Sequence, residues 1–286
     1  MSMVKTAFLL TLLTLILIAF GGFFGGRQGV IIAFVFAVVL NFGSYWFSSS
    51  IVLRTSKARP AGEAEYPQFH RIVARLTQRA GLPKPDLYII PTQVPNAFAT
   101  GRDPQHAAVA VTEGLLQILD EDELEGVIAH ELGHVKNRDI LISSIAATIA
   151  GAIMMLATMA RWGAIFGGFG GDRDRGNNIF ALLAMAILAP IAALMVQMAI
   201  SRTREFKADA TGAEFAGHPQ GLASALRRLE QVNQRVPPQA SPASPATAHM
   251  YIVKPFAGGL GNLFSTHPPM QERIDRLMKR AGPLVG

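Results

Sequence analysis

"GVIAHELGHVKNRDILISSIAATIAGAIMMLATMA", residues 126–160, changes character in its middle. Its first part carries two histidines and a glutamate within five positions, and its second part, from Ile140, carries no charge. On a helix, residues four apart share one face, so His130 and His134 present two imidazole nitrogens to one ion. Imidazole suits Zn²⁺, which takes nitrogen ligands at about 2.0–2.1 Å. Glu131 follows the first histidine and projects beside that ion, where a carboxylate suits the role of base toward water. Gly133 leaves room for another element to approach the same face. A chain with this stretch is expected to mount a metal site at the mouth of an apolar segment.

Two histidines do not complete a catalytic zinc site, which needs a third protein ligand and an open position. The apolar stretches suggest where that ligand comes from. Four of them, Thr6–Phe24, Val30–Phe47, Ile140–Ala160 and Ile179–Ile200, approach the roughly twenty residues that cover a bilayer core of about 30 Å. The last two form a hairpin that returns the chain to the side it left. Glu205 in "REFKAD" then emerges beside the histidine pair and is the best candidate third ligand. Asp209, four residues on, shares its helical face and is placed to accept an imidazole N–H, fixing the histidine tautomer.

Composition agrees with a membrane chain. Of 286 residues, 50% are apolar and 16% charged, and the mean hydropathy is +0.30. The net charge of +6 gathers near the ends of the apolar stretches, at Lys5, Arg54, Lys57, Arg59, Lys136, Arg138, Arg202, Arg204 and Lys207. The positive-inside bias therefore expects Ser48–Asp139 and Ser201–Gly286 in the cytoplasm. No long basic stripe exists, so nucleic-acid binding is not expected. The absence of cysteine excludes thiolate catalysis and thiolate ligands.

Between these landmarks, Pro67–Ala80 reads as a helix closed by Gly81, with Phe69, Ile72, Val73 and Leu76 as its apolar stripe and Arg71, Arg75 and Arg79 on a solvated face. "PDLYII" reads as a strand and "NAFATGRDPQHAAVAVT" as a hairpin. An extended substrate could add to that hairpin's edge, which makes Asn96 and Ala99 substrate-contact candidates. Asp120 with Glu123 forms a capping-box pattern, and the helix it starts is expected to run unbroken into the third apolar stretch. Further helices are expected from Ser201 to Gly217, over Gln220–Gln234, and after Pro268-Pro269. The Pro-rich segment 236–249 reads as a linker, and His218 and His249 as surface histidines.

"HELGHVKNRD", then "SRTREFKADATGA" and later "STHPPMQERI", together resemble the HtpX family of bacterial membrane zinc metalloproteases, relatives of the CAAX prenyl endopeptidases. The resemblance covers nearly the whole chain. It implies a membrane α+β fold, with four transmembrane helices and a cytoplasmic zincin-like metalloprotease domain containing a small sheet. The segments would be 1–48 and 140–200 as two transmembrane hairpins, and 49–139 and 201–286 as two parts of the catalytic domain. It further implies one Zn²⁺ on His130, His134 and Glu205, with Glu131 as catalytic acid–base and His267 as a donor to the transition-state oxygen. The implied work is endoproteolysis of misfolded or damaged membrane proteins and unfolded polypeptides at the bacterial inner membrane, multi-pass, with the active site facing the cytoplasm. The competing reading is a non-catalytic zinc-binding membrane scaffold or receptor. Glu131 argues against it, because binding alone needs no base there. A metal buried at bilayer depth is disfavoured by the charged flanks "DEDELEG" and "KNRD".

Overall fold

The computed structural model describes residues 2–146, 202–233 and 268–280. The chain opens with α1, Ser2–Thr55, which is two helices joined at a kink where Gly26 adopts φ 54°, ψ −141°. The two halves lie side by side. Asn41 Nδ2 donates to Thr14 Oγ1 at 2.8 Å, and Gly21 and Gly29 meet backbone to backbone with no room for a side chain on either. Four strands follow: β1 Arg59–Pro60, β2 Asp86–Ile90, β3 Ala97–Gly101 and β4 Ala107–Thr112. They form one open sheet in the order β1-β2-β4-β3, with β2 and β4 parallel and the other pairs antiparallel. The helices of this unit are α2 Pro67–Ala80, α3 Glu113–Ile118, α4 Glu121–Lys136, α5 Arg202–Ala216, α6 Gln220–Asn233 and α7 Met270–Arg280.

Strand alternation divides the sheet between two partners. Leu87, Ile89, Ala97, Ala99, Val109 and Val111 face the helical layer, packing with Phe69, Ile72, Ile128 and Leu132. Tyr88, Ile90, Phe98, Ala108 and Ala110 face the end of α1, at Val52 and Leu53. The sheet thus joins the long amino-terminal helix to the helices that carry His130, His134 and Glu205. α4 lies at the centre of that layer. Its start follows from sequence: Asp120 Oδ1 accepts from the Glu123 amide at 2.9 Å, and Glu123 Oε2 accepts from the Asp120 amide at 3.1 Å. Twelve of its sixteen residues are buried, Glu131 and His130 among them, so it has no solvent face of the ordinary kind.

Glycine sets how closely α5 and α6 approach α4. A Cβ on Gly212 would sit 2.7 Å from the His130 amide nitrogen, and one on Gly133 would sit 2.9 Å from the Ala208 carbonyl. Gly126 meets the Leu222 backbone in the same way. On the opposite flank, Arg75 and Arg79 are not merely solvated: Arg75 clasps the buried Glu125 carboxylate, and Arg79 lies 3.5 Å from it.

Three expectations are corrected. The protein is mostly helical with a small open four-stranded sheet, and among the described residues one helix, Gly26–Thr55, is long and apolar enough to cross a membrane. The expected four-span α+β fold is therefore not what the structure has. The amino-terminal half of α1 has only the shorter apolar run Leu10–Ala19, while the expected spans Ile140–Ala160 and Ile179–Ile200 fall, beyond residue 146, outside the described residues. The multi-pass, cytoplasm-facing placement falls with it, because the charge argument sorted loops by alternating sides across four spans. Finally, α4 does not continue into the third apolar stretch. It ends at Lys136, Arg138 takes a positive φ of 57°, and residues 140–146 begin a new buried helix against Leu13.

Candidate metal centre

The helix α4 delivers His130 and His134 one turn apart, and α5 packs across it to deliver Glu205. His130 Nε2 and His134 Nε2 are 3.2 Å apart, Glu205 Oε1 lies 3.5 Å from His134 Nε2, and Glu205 Oε2 lies 3.8 Å from His130 Nε2. A tetrahedral ion with ligands at about 2.0–2.2 Å needs donors about 3.3–3.6 Å apart. The three donors bracket that spacing without rearrangement of the backbone.

The charges point the same way. Glu131, Glu205, Asp209 and Asp139 are all buried around the pair of imidazoles, and among the described residues the facing guanidiniums are Arg273 and Arg204. With the four carboxylates ionised and both imidazoles neutral, as metal ligation requires, carboxylates outnumber guanidiniums among the described residues, which suits a divalent cation. Buried carboxylates in such excess are costly unless a cation joins them. The donor set of two nitrogens and one oxygen suits zinc, so the residues fit one Zn²⁺.

Glu131 is 5% exposed, and its Oε2 accepts a hydrogen bond of 2.8 Å from the Ala99 amide of edge strand β3. Burial pushes its carboxyl above the ordinary value, while the neighbouring His130 and His134 pull it back. For His134, burial alone would push the imidazole down. The Asp139, Glu205 and Glu131 carboxylates outweigh it and raise it to about 9.

Asp209 lies behind His130, with Oδ1 2.9 Å from Nδ1, so that Nε2 is the nitrogen left facing the other donors. Arg273 on α7, 1% exposed, grips the same carboxylate through Nε at 2.9 Å and Nη2 at 2.6 Å. Its Nη2 also lies 3.4 Å from both His130 ring nitrogens, and Nη1 lies 3.9 Å from Glu205 Oε2. Burial pushes the Asp209 carboxyl up, but the guanidinium and His130 more than cancel this and hold it down at about 2. Arg273 and Asp139 were not singled out from sequence. The "ERI" that follows His-Pro-Pro carried a signal for the former, an arginine inside an apolar helical stripe with Ile274 and Leu277.

Of the remaining candidates, Asn96 and Ala99 are buried at 1% and 6%. The Asn96 amide donates to Thr112 Oγ1 at 2.9 Å, and its carbonyl accepts from the Thr112 amide at 2.9 Å, so its backbone serves the sheet. His267 and the 236–249 segment lie outside the described residues.

Residues 63–281 match Peptidase family M48. A "Protease HtpX homolog" of Desulfatibacillum aliphaticivorans is 57% identical over 276 residues, 96% of this chain and 88% of that one. Its namesake in Syntrophobacter fumaroxidans is 55% identical over 96% of this chain and 97% of its own length. The one in Pyrococcus furiosus is 56% identical over 279 residues, covering 97% and 96%.

Proposed function

Because the chain belongs to Peptidase family M48, and within it to the HtpX membrane zinc metalloproteases, we propose that it cuts peptide bonds in misfolded or damaged membrane proteins with Glu131 as its acid–base. The observation that carries this reading is the convergence of donor atoms of His130 and His134 on α4 with those of Glu205 on α5, all within 4.8 Å of one another, while the buried Glu131 lies on α4 between the two histidines.

His130, His134 and Glu205 would hold the zinc ion, which would supply Lewis acidity toward water and the scissile carbonyl. The chain's own groups do the rest. Glu131 accepts the proton of the attacking water on the oxygen that Ala99 leaves free, and the raised carboxyl suits that task. As the C–N bond breaks, the same carboxyl passes that proton to the leaving amine. Asp209, through Nδ1 of His130, keeps Nε2 turned toward the site. His267 is our proposed donor to the developing oxyanion. The edge of β3 is our proposed seat for an extended substrate, through backbone bonds that read little sequence, and Asn96 and Ala99 would border it.

The Gly26–Thr55 helix supports membrane-protein substrates. Ile32, Val35, Val39 and Phe42 on it are 70%, 56%, 64% and 61% exposed, an apolar surface that suits lipid or an apolar client helix.

The test is metal analysis of purified protein in detergent, with a casein-cleavage assay on the parent and Glu131→Gln. The parent should carry one zinc per chain. The variant should keep that zinc and lose about 10²–10⁴-fold in turnover. Full casein cleavage by Glu131→Gln would remove Glu131 from the mechanism.

A further inference from the structure

The end of α4 is built in an unusual way for its sequence. The Asp139 amide donates to the His134 carbonyl at 3.0 Å and the Arg138 amide to the Val135 carbonyl at 3.1 Å, the paired bonds of a Schellman turn. Such turns place their left-handed residue at a glycine by preference. Here that residue is Arg138, at φ 57° with its side chain exposed. The backbone accepts this cost, and the result is that Asp139 folds back on the helix it has just left.

A bland role is available to Asp139, since it precedes the helix that starts at residue 140 and aspartate caps helices well. Among the described residues, no backbone amide of that helix donates to its carboxylate. Asp139 is instead 6% exposed with Oδ2 3.7 Å from His134 Nδ1, and its Oδ1 lies 4.0 Å from Arg204 Nη1. Asp139 Oδ2 and Arg204 Nε and Nη2 are buried with no hydrogen-bond partner among the described residues. Burying polar atoms in this way is costly unless their placement serves something. The arrangement repeats, more loosely, what stands behind His130: a carboxylate at Nδ1, itself faced by a guanidinium from another helix.

Resting on the zinc reading above, we propose that Asp139 and Arg204 are a positioning pair for His134, the counterpart of Asp209 and Arg273 at His130. Asp139 holds the Nδ1 side of the ring, which leaves Nε2 for the metal. Arg204 holds Asp139 from the residue next to Glu205. The pair therefore ties the orientation of the second histidine to the docking of the helix that brings the third ligand.

The test uses the full chain in detergent, stripped of metal and titrated with zinc against a chromophoric chelator. Cobalt(II) absorption serves as a second readout. Asp139→Ala and Arg204→Met should each weaken zinc binding by about 10–100-fold. Their double variant should be little worse than the weaker single, because the two act as one unit. Asp139→Asn, which keeps the shape and the capping ability, should alter the cobalt spectrum while leaving the thermal transition of the metal-free protein in place. Arg138→Gly should bind zinc as the parent does. Arg138→Val, which resists the left-handed region, should bind it more weakly. Parental zinc affinity in Asp139→Ala would overturn the proposal. So would a loss in Asp139→Asn matched by an equal loss of metal-free stability, since that would make Asp139 a folding residue. If the parent itself binds no zinc, the peptidase reading fails before this one is reached.

Discussion

At the scale of single residues, the three metal-ligating side chains and the groups behind them differ in how far they could be read in advance. His130 and His134 were legible because their spacing matches one helical turn. Glu205 was reached through an expected membrane hairpin, most of which lies outside the described residues, and its place beside the histidines rests on α5 packing across α4. Arg273 was not legible, because its meaning comes from Asp209, which no local pattern connects to it across 64 positions. That contact carries a measurable weight. Arg273→Leu leaves Asp209 buried without its cation, which should cost about 3–5 kcal/mol of stability, read as a shift in denaturant midpoint of the detergent-solubilised protein. Parental stability in that variant would mean that Asp209 finds another partner. The same pair sets an acid limit. The Asp209 carboxyl is held at about 2, below its ordinary 3.8. Its contribution is fully present above pH 3.8 and is lost as pH falls through about 2. In the Arg273→Leu background that stretch of the metal-free stability profile should flatten, which parallel pH titrations of unfolding would show.

At the scale of elements, the sequence located α2, β2, the β3–β4 hairpin and the start of α4, because each is marked by local chemistry: an alternation, a turn or a capping box. It misplaced the end of α4. No glycine marks that stop, and Arg138 occupies the left-handed position instead. What local chemistry cannot give is the fit of one helix on another. Gly212 and Gly133 hold α5 tight against α4, and Glu205 rides on α5. Gly212→Ala would press a methyl group into the backbone around Ala129 and His130, which cannot yield as a side-chain tip would. The expected cost is about 1–3 kcal/mol, together with weaker zinc binding as Glu205 is levered from the histidines. Chelator competition on this variant checks it: unchanged affinity would show that α5 tilts without moving its carboxylate.

At the scale of the whole molecule, counting apolar stretches overstated the membrane architecture. The stretch near the amino terminus has apolar composition, yet its helix packs by glycine and polar contacts, Gly21 on Gly29 and Asn41 on Thr14, against the Gly26–Thr55 helix. Composition does not report such partnerships. The ion, in turn, joins parts of the molecule that are far apart in sequence. If zinc binds the folded chain and not the unfolded one, free metal at a thousandfold its dissociation constant adds about 4.1 kcal/mol. Adding a strong chelator should lower the thermal midpoint, and restoring zinc should return it. A midpoint indifferent to chelation would place the metal outside the folding equilibrium. The order of these parts along the chain also matters during synthesis. A ribosome releases His130 and His134 long before Glu205, and Arg273 later still. Until both have emerged the nascent polypeptide holds an unfinished blade, so the danger of cutting itself or its neighbours is deferred by the order of these residues along the chain.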